Sequence, residues 1–346
     1  MNISRTQIKK AGPVLKDKKS YTKEQVKEAE NKLTYWRTIH GKVLNEFYTI
    51  VDSEANKVNR NSYVVQRVKR SPSIIAKLQR FPNNQLTTMQ DIAGIRAIMN
   101  NLEEVESLRE KLKKVAKSHE FKSYDNYITN PKDSGYRSVH LIYKFNNPTD
   151  KETNGLLIEI QIRTELQHSW ATAVETMSTF LGTNLKFDQG QPKWLNYFAL
   201  TSSAFSFLEN TPQVPAYSQL DKKETYRQAL YEFRYNLIEE TLSAFTTAAQ
   251  HITEDVEKSD FYHLLTLDIE KRVVKIKSYP NIEFDKANES YTLLERKYSK
   301  TNKFQVVLVS TESIKELQSA FPNYFLDTRE FLKNMEEIKT EYELLK

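Results

Sequence analysis

The chain contains no cysteine, which excludes disulfides, thiol catalysis and cysteine-ligated zinc. Glycine is almost as scarce: 7 occur in 346 residues and none after position 190. Neither GxxxxGK[ST] nor GxGxxG is present, so the sequence supports neither a P-loop nor a dinucleotide-binding turn. No apolar run approaches the ~18 residues of a membrane span, and the amino terminus lacks the apolar segment of a signal peptide. The expectation is a soluble, cytoplasmic protein with no membrane partner. Excess negative charge is missing from the first quarter, where residues 1–80 hold 18 Lys and Arg against 7 Asp and Glu. The formal net charge of the whole chain is only +6, so the positive excess is concentrated there, as a phosphate-binding surface or a solvated helix face would be.

The length suits roughly two domains of about 100–200 residues. Residues 1–22 read as a basic arm, and a long amphipathic helix begins near Thr22, with Leu33, Trp36, Ile39, Val43, Phe47 and Ile50 at spacings of three and four. Ser71-Pro72 reads as a helix start that brings Lys77 and Arg80 about one turn apart. Strands are expected over 91–99, 139–145 and 156–163. In the last, Ile158, Ile160 and Ile162 alternate with Glu159, Gln161 and Arg163, so an apolar face backs a row of functional groups. Helices are expected from Glu165 to about Leu181, over 193–210 and over 222–254. A small α+β module follows from about residue 258, giving divisions at 1–22, 23–257 and 258–346.

The most distinctive segment is Tyr127 to His140, YITNPKDSGYRSVH, where a Pro-Lys-Asp-Ser-Gly turn carries cations, aromatics and a histidine. Asp91 lies upstream in DIAGIR and Glu159 downstream in EIQIRT. Phosphoryl transfer needs polyphosphate charge neutralised, Mg²⁺ held and an attacking oxygen aligned. One or two carboxylates with substrate phosphates suffice for Mg²⁺, which makes Asp91 and Glu159 the candidate metal ligands. Arg67, Lys69, Arg70, Lys77 and Arg80 are candidates for a phosphate clamp, Arg96 for a ligand contact from a core strand, and Tyr136 for stacking on a base.

The order of RVKRSPSIIAKLQR, DIAGIRAI, YITNPKDSGYRSVH and EIQIRTELQHSWA resembles the synthetase domain of the RelA/SpoT family over about residues 20–215. The resemblance implies an α+β fold, a nucleotidyltransferase-like mixed sheet flanked by helices, here with the small carboxy-terminal module. It also implies a Mg²⁺-dependent pyrophosphokinase that moves the β,γ-pyrophosphate of ATP onto a ribose 3′-hydroxyl. Carried onto this sequence, Arg67 and Arg96 hold the adenine, Lys69, Ser73 and Lys77 the phosphates, and Asp91 the metal. Glu159 assists the metal and activates the acceptor, while Lys132, Tyr136, His140 and Gln161 surround the acceptor.

The acceptor in that family is GDP or GTP, giving alarmones, or the tRNA 3′-CCA end. The opening ISRTQIKKAG and the carboxy-terminal module look most like CapRel-type fused toxin–antitoxin proteins of phage defence. That resemblance implies a tRNA acceptor, a pseudo-zinc-finger module that blocks the ATP site, and release by a phage protein. The counterpart of its blocking Tyr-x-x-Tyr pair is Phe321-Pro322-Asn323-Tyr324, whose first position keeps the ring and loses the hydroxyl.

Overall fold

Local capping starts the two amino-terminal helices. Ser4 opens α1 (Arg5–Lys16) and Thr22 opens α2 (Lys23–Val58), each through a capping box closed by a glutamine three residues on. Ile8, Ala11 and Leu15 bury one face of α1 against α2, so the basic amino-terminal segment is ordered and turns its lysines outward. The computed structural model describes residues 3–115, 118–181, 185, 191–248, 250–253, 260–298, 301, 303–311 and 314–346.

After α2 come β1 (Tyr63–Val68), α3 (Ser71–Arg80), β2 (Ala93–Met99), α4 (Leu102–Val115), β3 (Glu120–Asn126), β4 (Val139–Lys144) and β5 (Leu157–Thr164). Four helices follow: α5 (Glu165–Leu181), α6 (Pro192–Leu208), α7 (Lys222–Tyr235) and α8 (Ile238–Ala248). The remainder is β6 (Gln250–Thr253), β7 (Asp260–Asp268), β8 (Val273–Pro280), α9 (Phe284–Tyr298), β9 (Phe304–Ser310), α10 (Ile314–Ala320) and α11 (Arg329–Leu344).

The single helix expected over 222–254 is instead two helices and a strand. The break falls at Leu237, whose backbone is left-handed (φ 52°), a conformation a continuing helix does not contain.

The strands form one mixed sheet in the order β3-β4-β5-β2-β1-β9-β7-β8-β6. The α+β expectation holds, with the carboxy-terminal strands extending the same sheet: β9 pairs antiparallel with β1 at Gln66–Ser310 and Arg67–Val309. The expected boundary near residue 258 lies outside the described residues.

Alternation divides the sheet into two faces. Ile158, Ile160 and Ile162 pack with α2 and α4 on one side. Val65 and Ile98 pack on the other with α5, α6, α10 and α11. Phe331, Met335 and Ile338 of α11 are buried there, and the Phe331 ring meets Phe198 and Phe205 of α6. The carboxy-terminal helix is therefore part of the core covering the second face. Among the described residues no helix is long and apolar enough to cross a membrane.

Candidate nucleotide site on the sheet

Strand register gathers the expected residues. Val65 of β1, Arg96 of β2, Gln161 of β5 and His140 of β4 lie side by side across the sheet. Two residues along, and so on the same face, come Arg67, Gly94 and Glu159. Gly94 puts no side chain between Arg67 and Glu159. Asp91 lies just before β2, at the same end of the sheet. Arg67, Lys69, Asp91, Gly94, Arg96, Glu159 and Gln161 line one cavity.

Both carboxylates are engaged by cations. Asp91 meets Lys69 at 2.7 Å and Lys77, from α3, at 3.0 Å. Burial raises the Asp91 pKa, but the two ammonium groups outweigh it and hold the group far below the usual carboxylate range. For Lys69, burial is the larger effect and lowers its pKa despite Asp91. Ser73 sits partly exposed in the first turn of α3, between the two lysines in sequence.

Glu159 accepts from His140 Nδ1 at 3.0 Å and from Gln161 Nε2 at 2.7 Å. His140 Nε2 in turn lies 2.9 Å from the Tyr136 hydroxyl. Burial disfavours the His140 cation, yet Tyr136 and Glu159 outweigh it and push its pKa up to about 9. Glu159 moves the opposite way: burial raises it, and His140 brings it below its ordinary value. Lys132 reaches over this group, 4.2 Å from the Tyr127 ring and 5.5 Å from the Tyr136 ring.

The loop carrying Lys132 and Tyr136 is fixed from beneath. Gly135 adopts φ +90°, and a Cβ there would lie 2.7 Å from the Ser202 Cβ and 3.0 Å from the Trp170 ring. Arg137, unassigned by the sequence reading, is buried and donates to Ser202 Oγ, the Ile128 carbonyl and the Pro212 carbonyl. Its role is to anchor the loop to the end of α6.

Arg67 and Arg96 line the cavity, and Glu175 of α5 acts electrostatically on Arg96 and on two arginines outside its lining, Arg70 and Arg163. This is a strongly cationic enclosure, suited to an anion. Arg163 is 1% exposed and donates from Nη2 to His168 Nδ1, and His168 Nε2 bonds the Ser319 carbonyl of α10 at 2.9 Å. Glu175 and His168 were not assigned from sequence; each lies on α5, where helical spacing alone does not tell which polar side chain turns inward.

The carboxy-terminal segment enters this site. Phe321 lines the same cavity, with the Arg96 guanidinium 5.6 Å above its ring. Phe321 and Tyr324 are both buried and meet edge to face at 6.4 Å across a turn after α10. Tyr324 is the largest influence on Arg70 and raises its pKa. With Phe321 in place the cavity measures about 40 Å³. Small-molecule pockets usually measure about 300–1,000 Å³, so the cavity as it stands is far smaller than one that holds a nucleotide.

The segment that carries most of the cavity is similar to a known family. Residues 66–180 match the family model described as "Region found in RelA / SpoT proteins", and thus carry Arg67 through Glu175 of the site. The chain is 35% identical over 118 residues to GTP pyrophosphokinase YjbM of Bacillus subtilis, spanning 34% of this chain and 56% of that protein. It is 31% identical over 138 residues to GTP pyrophosphokinase YwaC of the same organism, spanning 37% of this chain and 65% of that protein. The chain thus matches between about half and two thirds of the length of these two relatives. Among solved structures, small alarmone synthetase 1 from Bacillus subtilis bound to its product pppGpp is 27% identical. It has a TM-score of 0.43 and covers 49% of this chain and 89% of that chain.

Proposed function

We propose that this protein is a Mg²⁺-dependent pyrophosphokinase, transferring the β,γ-pyrophosphate of ATP to the 3′-hydroxyl of GDP or GTP. The observation that carries the reading is the joining of two carboxylates, Asp91 and Glu159, with Arg67, Lys69 and Arg96 around one cavity. The relatives' name, GTP pyrophosphokinase, favours the guanosine acceptor.

In the reaction, the acceptor 3′-oxygen attacks the β-phosphorus of ATP and the bond to the α–β bridging oxygen breaks. AMP leaves, and the hydroxyl proton is released. Arg67 and Arg96 hold the adenine, and Lys69, Ser73 and Lys77 the phosphates. Asp91 and Glu159 would hold Mg²⁺, together with substrate phosphates. An ion held by these residues would supply positive charge against the transferring group. Glu159 orients and deprotonates the acceptor hydroxyl, while Tyr136 stacks on its base and Lys132, His140 and Gln161 surround it. Asp91 would then give up part of its pairing with Lys69 and Lys77, and Glu159 part of its pairing with His140.

Phe321 and Tyr324 act as an autoinhibitory plug. The Phe321 ring lies beneath Arg96, where the adenine would lie, so ATP and the docked turn compete.

A second reading is favoured by the charge of residues 1–80, 18 basic against 7 acidic side chains. In it the acceptor is the tRNA 3′-CCA end, bound largely through phosphates, and a phage protein releases the plug in antiviral defence. Incubation with γ-labelled ATP and GDP, GTP or deacylated tRNA separates the two. Label in a guanosine product supports the first reading, and label confined to tRNA replaces it by the second.

A further inference from the structure

Helix α3 is capped by a residue 224 positions away in sequence. Its N-cap, Arg70, supplies no side-chain cap, and the role falls to Glu295 of α9. Glu295 Oε1 accepts from the Ser71 amide at 2.9 Å, and Oε2 from the Ser71 hydroxyl and Arg37 Nη1, both at 2.8 Å. Tyr291 donates a further bond to Oε1 at 2.9 Å.

Arg37 is only 3% exposed. Its Nε holds the Lys69 carbonyl at 2.9 Å, while Nη2 has no hydrogen-bond partner among the described residues. A buried guanidinium with an unmet donor, beside a helix-start amide and hydroxyl held by a carboxylate from a distant element, is a setting for an anion with more acceptor oxygens than a carboxylate has. Lys69 and Ser73 flank the same turn.

We propose that the Ser71 amide and hydroxyl together with Arg37 form a binding site for a phosphate group of the nucleotide, and that Glu295 is its built-in competitor. The ligand class rests on the pyrophosphokinase reading. Phe321 then displaces the base and Glu295 a phosphate, from two separate elements.

The seat of α9 explains how Glu295 is presented. Phe284 packs on Gly41 of α2, where a Cβ would lie 2.5 Å from the ring Cζ. Asn288 donates to Thr38 Oγ1 at 2.9 Å and Arg296 to Asn31 Oδ1 at 3.0 Å. A larger residue at position 41 meets the Phe284 ring and so displaces α9, while replacing a helix-interior glycine by a better helix former.

The test is calorimetric titration of the full chain with inorganic tripolyphosphate. Glu295→Gln, which keeps the shape and one acceptor, is expected to raise affinity about tenfold or more, and Gly41→Leu to do the same by a separate route. Adding Arg37→Lys to Glu295→Gln is expected to abolish the gain. Unchanged tripolyphosphate affinity in both Glu295→Gln and Gly41→Leu, with both folded, overturns the site and leaves Glu295 a helix cap. A gain in a chain that transfers no pyrophosphate retains the anion site and removes the enzymatic reading. Transfer activity without any gain overturns the anion site alone.

Discussion

Replacing Phe321 by Ala tests whether the carboxy-terminal turn competes with ATP. The ring is 2% exposed and lies under Arg96. Burying a Phe side chain contributes about 1.5–3 kcal/mol, and a desolvated cation–π contact about 0.5–2. The docked turn therefore loses roughly 2–5 kcal/mol relative to the undocked one, a shift in their ratio of between about 30-fold and several thousand-fold. Apparent ATP affinity is reduced by the fraction of chains that are open, so it rises with that shift until the open form dominates. Titration with a non-transferable ATP analogue reads the gain directly, and a thermal melt checks that the variant is folded. An analogue affinity unchanged or weaker in a folded Phe321→Ala protein refutes competition and makes Phe321 an ordinary core ring.

Removing residues from 258 onward is a different perturbation. It strips Phe331, Met335 and Ile338 from the α5–α7 layer, a loss of roughly 5–9 kcal/mol at about 1.5–3 per side chain, comparable to the whole stability of many domains. Aggregation or a collapsed melting temperature is expected, and a truncated chain as stable as the full one contradicts the packing described. Glu159→Gln is expected to lower pyrophosphate transfer at least 100-fold with ATP affinity within a few fold, measured by steady-state kinetics and titration. Gly135→Ala forces a side chain into Ser202 and Trp170 at positive φ and is expected to cost about 1–3 kcal/mol in chemical denaturation. His140 has a folded pKa near 9 against about 6.5 when unfolded, so its pairing with Glu159 stabilises fully below pH 6.5 and is lost as pH rises through 9. The melting-temperature difference between wild type and His140→Gln should accordingly be large at pH 6 and small near pH 10.

Much of the site was legible because alternation and spacing are local. The Ile158-Glu159-Ile160-Gln161-Ile162 pattern fixes which side chains share a face, and the Ser71-Pro72 start fixes where Lys77 points. What escaped is long-range. Strand β3 is an exposed edge, nearly all of its residues facing water, so it lacks the apolar signature of the buried strands. Strand β1 is short and runs straight into the cations of the site. The β1–β9 pairing and the Arg37–Glu295 contact join residues more than 200 apart, and nothing local in either segment announces its partner. The Phe321–Tyr324 pair was legible as two aromatics, while its position under Arg96 required the fold.

The measurement that bears most directly on the central claim is the nucleotide balance of the reaction. With ATP, Mg²⁺ and GDP or GTP, Phe321→Ala should form AMP in equal amount to an acceptor carrying two additional phosphates, and Phe321→Ala/Glu159→Gln should form neither. ADP as the product, or no AMP with any acceptor from a folded protein that binds ATP, contradicts a pyrophosphokinase at this site.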